Sequence, residues 1–176
     1  MVFDFETTGL SDVKDRVIEI GAAKVQHGQI VDEFQSLIHP GRYINQHIQA
    51  LTGITNQALL GQPHEEVVFP RFVRWIQDAD ILVAHNLHFD ARFLKQTCRR
   101  LDLPIFEGEG MDTLALAKKA FPGGSHKLDV LADRFGVDLT NAHRAIHDVR
   151  ATVEVLSHLL QIVPPETKPF LEFCKR

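Results

Sequence analysis

Asp4 and Glu6 are the first residues whose types and spacing suit chemistry, because they alternate with Phe3 and Phe5 in a run that reads as a strand. In an extended strand both rings point to one face and both carboxylates to the other. Two carboxylates that close repel each other and raise each other's pKa unless a cation, hydrogen-bond donors or open water compensates. A divalent metal ion satisfies the pair, and so does an edge strand with its acidic side in water. The stretch by itself does not separate the two. Thr7-Thr8-Gly9 follows at once, a turn signal with hydroxyls, backbone donors and a residue tolerant of positive φ.

Further along, Asp90 is placed in the first turn of an expected helix, where a lone acid is ordinarily a favourable partner for the helix dipole. Asp148 falls near the start of the last long helix, on the flank of its apolar stripe. His143 and His147 stand four residues apart within that expected helix, spacing that would suit a metal-binding couple. No Glu follows His143 as a zinc protease would need, and zinc there would leave the other acids unexplained, so His147 reads as a surface residue. Cys98 and Cys174 lie far apart, with neither metal-site nor disulfide-framework spacing. Arg92, Lys95, Arg99 and Arg100 form a basic cluster that reads first as a solvated helix face and second as a phosphate contact.

The elements that must position these groups come in two series. The acidic strand, Val17 to Val25 and Gln29 to Ile38 read as an antiparallel meander, with His27-Gly28 as the hairpin turn. A connector follows, with a short helix around Asn45 to Leu51. From Glu65 to Gln77 apolar residues recur at helical spacing, and Pro70 implies a start or a kink there. Ile81-Leu82-Val83-Ala84 is a short apolar run suited to a strand covered on both faces. Helices are expected at Phe89 to Leu101, Leu114 to Phe121 with Asp112-Thr113 as cap, Leu128 to Phe135, and His143 to Leu160, with a short strand before Asp112. Strands first in a meander and then alternating with helices predict an α/β fold with a mixed sheet flanked by helices. Such sheets gather their sites at the carboxyl ends of the strands, where Asp4, Glu6, Asp90 and Asp148 would converge.

These residues resemble the three motifs of the DEDDh group of 3′–5′ exonucleases, the DnaQ-like family with an RNase H-like fold. Asp-x-Glu followed by Thr-Thr-Gly matches Asp4, Glu6, Thr7, Thr8 and Gly9; His-Asn-x-x-Phe-Asp matches His85, Asn86, Phe89 and Asp90; His-x-Ala-x-x-Asp matches His143, Ala145 and Asp148. Weaker segments agree, among them Ile18-Glu19-Ile20-Gly21-Ala22, Gly53-Ile54-Thr55, Asp112-Thr113-Leu114 and Leu128 to Phe135. The stretch from Gly53 to Leu156 looks most like exonuclease domains tied to bacterial replicative polymerases, including the DNA polymerase III epsilon type.

The resemblance implies that Asp4, Glu6, Asp90 and Asp148 bind two divalent cations, Mg²⁺ or Mn²⁺, and that His143 is the general base for the attacking water. Thr7, Thr8, Gly9 and Phe89 would contact the terminal nucleotide, although Phe89 reads equally well as core. His85 either orients the active-site loop or simply ends a strand, and Asn86 belongs with it in the substrate-binding motif. Carboxylates are suitable ligands for such hard cations, which keep room for water and phosphate oxygens. The implied activity is metal-dependent hydrolysis of phosphodiester bonds at the 3′ end of single-stranded or frayed DNA, releasing nucleoside 5′-monophosphates, as in proofreading or repair. RNA is the alternative substrate, since nothing in the sequence decides how a 2′-hydroxyl would be received. A non-catalytic domain that binds a polymerase or nucleic acid is the third reading, disfavoured because a binding module needs none of the five groups.

The chain's 176 residues, 44% of them hydrophobic and 24% charged, fit one domain with a proper core. Residues 1–162 are expected to form the exonuclease domain. Residues 163–176 read as a tail, whether linker, docking peptide or loosely packed end. The net charge of −4 argues against binding nucleic acid by a global positive field, yet two divalent cations on the acids would bring the protein close to neutral. No apolar run reaches membrane-spanning length and no basic region with an apolar signal core leads the chain, so a cytoplasmic protein with reduced thiols is expected. Met1 stands only three positions before Asp4, whereas members of this family have several residues ahead of that motif. The short lead-in points to a trimmed domain, whose first strand would be exposed to fraying.

Overall fold

A computed structural model describes residues 1–164 and 170–172. The sheet is built from β1 (Val2–Thr7), β2 (Val17–Gln26), β3 (Gln29–Leu37), β4 (Ile81–Ala84), β5 (Glu109–Asp112) and β6 (Phe170–Glu172). Their spatial order is β3-β2-β1-β4-β5-β6. The first three strands pair antiparallel, β1–β4 and β4–β5 pair parallel, and β6 closes the far edge antiparallel to β5. The architecture is the expected α/β mixed sheet flanked by helices. Of the tail, residues 165–169 and 173–176 lie outside the described residues.

Alternation along β1 decides what each face of the sheet becomes. Phe3 and Phe5 point toward α3 (Glu65–Ile76) and α4 (Leu87–Arg100), where they join Phe69, Phe72, Phe93 and Leu94 in one buried cluster. Phe5 meets Phe72 edge-on, with ring centroids 5.8 Å apart, a preferred aromatic geometry. Val2, Ala23, Val83 and Met111 belong to a second cluster with α5 (Thr113–Ala120), α6 (Leu128–Phe135) and α7 (Ala145–Ile162). Asp4 and Glu6 therefore lie on the α7 side, and α7 crosses β1 and β2.

α3 begins at Glu65 and carries Pro70 inside it, so Pro70 does not mark the helix start. Burial of Val68, Phe69, Phe72, Val73 and Ile76 offsets the roughly 3 kcal/mol that an interior proline costs a helix. The short helices α1 (Gln46–Thr52) and α2 (Asn56–Leu59) cover a third cluster around Ile18, Ile44 and Ile54. The start of β1 is tied down on its own account. The Met1 ammonium donates to the Ile81 carbonyl at 2.7 Å, and the Val83 amide donates to the Met1 carbonyl at 2.8 Å.

Candidate active site

At the carboxyl end of β1, a register shift between Glu6 and Thr7 sets Glu6 opposite Glu19 but Thr7 opposite Val17. Such an irregularity twists a strand and re-aims its side chains, and it is a common feature beside active sites. Asp4 and Glu6 remain on one face, as alternation requires. Asp90 reaches the strand from the first turn of α4, and its Oδ1 accepts from the Phe5 amide at 3.1 Å. Asp148 comes from the first turn of α7 and accepts from the His143 amide through Oδ2 at 3.0 Å. Asp90 is only 2% exposed and Asp148 8%.

Burial and mutual repulsion dominate the electrostatics. Asp4 is pushed well above the usual carboxylate range, first by burial and then by Asp90, Glu6, Asp148 and Glu19. Glu6 is pushed up to about 8 by burial and by Asp148, Glu19 and Asp90, partly relieved by Arg144. Burial pushes Asp90 up to about 8 against the opposing hydrogen bond from Phe5. Asp148 rises to about 6 through burial, opposed by the bond from His143. Four acids so destabilised as anions are a donor set in need of positive charge, and oxygen-only side chains fit hard divalent cations.

His143 departs from the expected helical geometry. It lies outside α7 with φ of 65°, so His143 and His147 are not an i, i+4 pair on one helix. The left-handed turn, exposed to solvent, brings the imidazole to the acids instead. One ligand atom each from Glu6, His143 and Asp148 lie within 4.8 Å of one another. His147 is within α7 and belongs to no such group among the described residues.

The remaining motif residues mostly serve to hold the site's frame. Thr7 and Thr8 are buried, and their hydroxyls are engaged within the chain. Thr7 Oγ1 donates to the Gly9 carbonyl at 2.7 Å. Thr8 Oγ1 donates to Asp15 Oδ1 at 3.0 Å while accepting from the Arg16 amide and from Arg42 Nη2. Gly9 is not in a positive-φ conformation. A Cβ there would sit 2.5 Å from Asp15 Oδ2, so a larger residue would displace the Asp15 side chain that Thr8 and Arg42 bind. The His85 ring meets Thr113 Oγ1 at 2.9 Å, and burial lowers its pKa. Asn86 takes the left-handed conformation with φ of 69° and donates its amide to Asp112 Oδ1 at 2.9 Å. Phe89 is half-buried, packs 5.0 Å from Phe93 between ring centroids, and lies beneath the Arg92 guanidinium. Of the basic cluster, Arg100 is held by Glu65 in a two-pronged ion pair and Arg92 faces Asp12 at 3.8 Å.

A cleft of about 500 Å³ opens beside the acids, lined by His85, Asn86, Lys118, Lys127, His143 and Asp148 among others. The family model for the RNase T exonucleases matches residues 1–156, nearly the whole described domain. The chain belongs to this exonuclease family. Among curated proteins, this chain is 40% identical over 163 residues to the PolC-type DNA polymerase III of Thermotoga maritima, and 41% identical over 163 residues to that of Bacillus subtilis. The alignments cover 93% and 92% of this chain but only 12% and 11% of those polymerases. Exonuclease X in complex with 5′ overhanging duplex DNA matches at 27% identity with a TM-score of 0.74, covering 91% of this chain and 90% of that one. Escherichia coli exonuclease I in complex with a dT13 oligonucleotide shares the fold, with a TM-score of 0.81 at 19% identity, covering 92% of this chain and 40% of that one.

Glu19, Arg144 and Leu10 are not singled out by the spacing of the motifs. Glu19 is fully buried opposite Glu6, and its signals in the sequence are an acid inside an apolar strand and the family-like segment Ile18 to Ala22, neither of which assigns it a role. Arg144 pairs with it from the start of α7. Leu10, 79% exposed directly after the Thr-Thr-Gly turn, is an apolar side chain presented to solvent. Among the described residues, no helix is long and apolar enough to cross a membrane.

Proposed function

We propose that this exonuclease hydrolyses the terminal phosphodiester at the 3′ end of single-stranded or frayed DNA and releases nucleoside 5′-monophosphates. The observation that carries the reading is the meeting of Glu6, His143 and Asp148 within 4.8 Å beside Asp4 and the strand-bound Asp90. Asp4, Glu6, Asp90 and Asp148 would hold two divalent cations, Mg²⁺ or Mn²⁺. Cations bound there would neutralise charge on the phosphate and favour ionisation of the attacking water. His143 accepts the proton of that water, and its exposure lets it return the proton to solvent. The bond from the His143 amide to Asp148 fixes the base relative to the acids. Lys118 and Lys127 attract the sugar-phosphate backbone into the cleft, and Leu10 offers an apolar contact to a terminal base.

DNA as substrate is supported by the DNA complexes of exonuclease X and exonuclease I and by the polymerase relatives. By the same likeness the chain acts beside a replicative polymerase in the cytoplasm, in proofreading or repair. The test is incubation with 3′-labelled and 5′-labelled strands of DNA and RNA, with Mg²⁺, Mn²⁺ or chelator. Stepwise shortening of DNA from its 3′ end, only with metal, is expected. Inertness in every combination sinks the enzyme reading, and faster loss of RNA than of DNA sinks the substrate assignment.

A further inference from the structure

Five carboxylates, Asp4, Glu6, Glu19, Asp90 and Asp148, gather at the site, and Glu19 has both oxygens already occupied. Glu19 Oε1 accepts from Arg144 Nη2 at 2.9 Å and from Gln35 Nε2 at 3.3 Å. Glu19 Oε2 accepts from the Ala145 amide at 3.1 Å, and Arg144 Nε is 3.2 Å from both oxygens. The Ala145 amide is the first of the α7 donors that a helix cannot satisfy internally, so Glu19 caps α7 from a strand 126 residues away.

The same strand makes a second, steric contact with that turn. Two residues on, Gly21 lies under the backbone of α7, where a Cβ would stand 2.4 Å from the Ala145 carbonyl carbon and 2.5 Å from the Ile146 amide nitrogen. Residues 144–146 are thereby fixed to β2 by a partly exposed ion pair, a cap and direct backbone contact. His143 is the next residue upstream and stands in the left-handed conformation, with φ of 65°. On its other side, its amide is held by Asp148.

We propose that Glu19 and Arg144 are positioning residues for hydrolysis, holding the turn from which His143 meets Glu6 and Asp148 while Glu19 itself takes no part in cation binding. This rests on His143 acting as the proton acceptor. Glu19 lies directly opposite Glu6, yet its hydrogen bonds are directed to Arg144 and Ala145. Arg144 offsets its charge, so the fifth acid adds structure without drawing a cation away from the other four. The acid at this place organises the base, as partners outside the reacting shell do in metal sites.

Glu19→Gln and Arg144→Ala are compared with wild type, with His143→Ala, with the double variants, and with Arg150→Ala. The last removes another ion pair between α7 and the sheet, to Glu33, away from the acids. Each positioning variant should lower kcat by about 10–100-fold with little change in KM for a DNA strand. Neither should add a further loss to His143→Ala, and Arg150→Ala should match wild type. Losses that multiply with His143→Ala, an unchanged kcat, or an equal loss in Arg150→Ala would each overturn the proposal. Arg144 is partly exposed, so Arg144→Ala tests it even if Glu19→Gln fails to fold. Hydrogen exchange of the His143 amide in metal-free protein gives a readout independent of turnover. It should quicken in Arg144→Ala while the β1 amides stay protected, and unchanged exchange at His143 counts against the proposal. Wild-type inertness would sink the nuclease reading, whereas the amide measurement would still decide the positioning.

Discussion

The Phe5 amide donates to Asp90 Oδ1 at 3.1 Å, which fastens the acid of α4 to the strand midway between Asp4 and Glu6. β1 and β4 pair only at Val2 and Val83, so farther along β1 this amide is satisfied by the side chain from α4. The bond fixes the spacing of three acids. It also separates two jobs of Asp90 that one substitution can test. Asp90→Asn keeps an oxygen for Phe5 but removes the charge. Activity should fall by more than the roughly 100-fold that loss of an outer partner costs a metal site, while the metal-free melting temperature holds or rises. A variant that melts much earlier would mean that the charge, not the hydrogen bond, holds α4 to β1.

Metal-free stability should fall as pH rises. Glu6 and Asp90 are raised to about 8 from ordinary values of 4.5 and 3.8. Between those limits the folded chain binds protons that the unfolded chain has released, so the stability they lend is full below about pH 4 and lost as pH climbs through about 8. Melting curves in chelator across that window should show the decline. Mn²⁺ should raise the melting temperature, most at the alkaline end, by binding the folded state where protons have left. A flat profile in chelator would contradict the crowding of the acids.

His143→Ala should reduce turnover by about 10²–10⁴-fold, the usual value of general base catalysis, with Mn²⁺-induced stabilisation largely preserved. His147→Ala should change turnover little. Reversed results would transfer the role of base to His147.

Asp4→Ala should nearly abolish hydrolysis with the circular dichroism spectrum unchanged. The loss removes a cation ligand, while Phe3 and Phe5 still anchor the strand on its opposite face. Full activity in this variant would remove Asp4 from the site.

Much of this arrangement can be read from the sequence where local periodicity governs it. The face that Asp4 and Glu6 share follows from alternation with Phe3 and Phe5, and the apolar stripes of α4 and α7 place Asp90 and Asp148 near the same end of the sheet. What was illegible depends on contacts between distant segments. Helical spacing extends α7 back to His143, but the helix starts at Ala145 because Glu19 caps it there. Thr7 and Thr8 read as hydroxyls for a nucleotide, and Asp15, Arg16 and Arg42 account for Thr8, which no spacing rule reveals. Gly9 signals a turn by type but serves close approach by geometry.

The seating of α7 on Gly21 has a consequence for the history of each molecule. During synthesis Asp4 and Glu6 emerge first, and Asp148 follows only near the end of the domain. Ribosomes add about 5–20 residues per second, so the acids of β1 spend seconds without the helix that completes them. If the chain hydrolyses DNA as proposed, it would do so only once α7 is in place, because Asp148 and the bond that holds the His143 amide come with that helix.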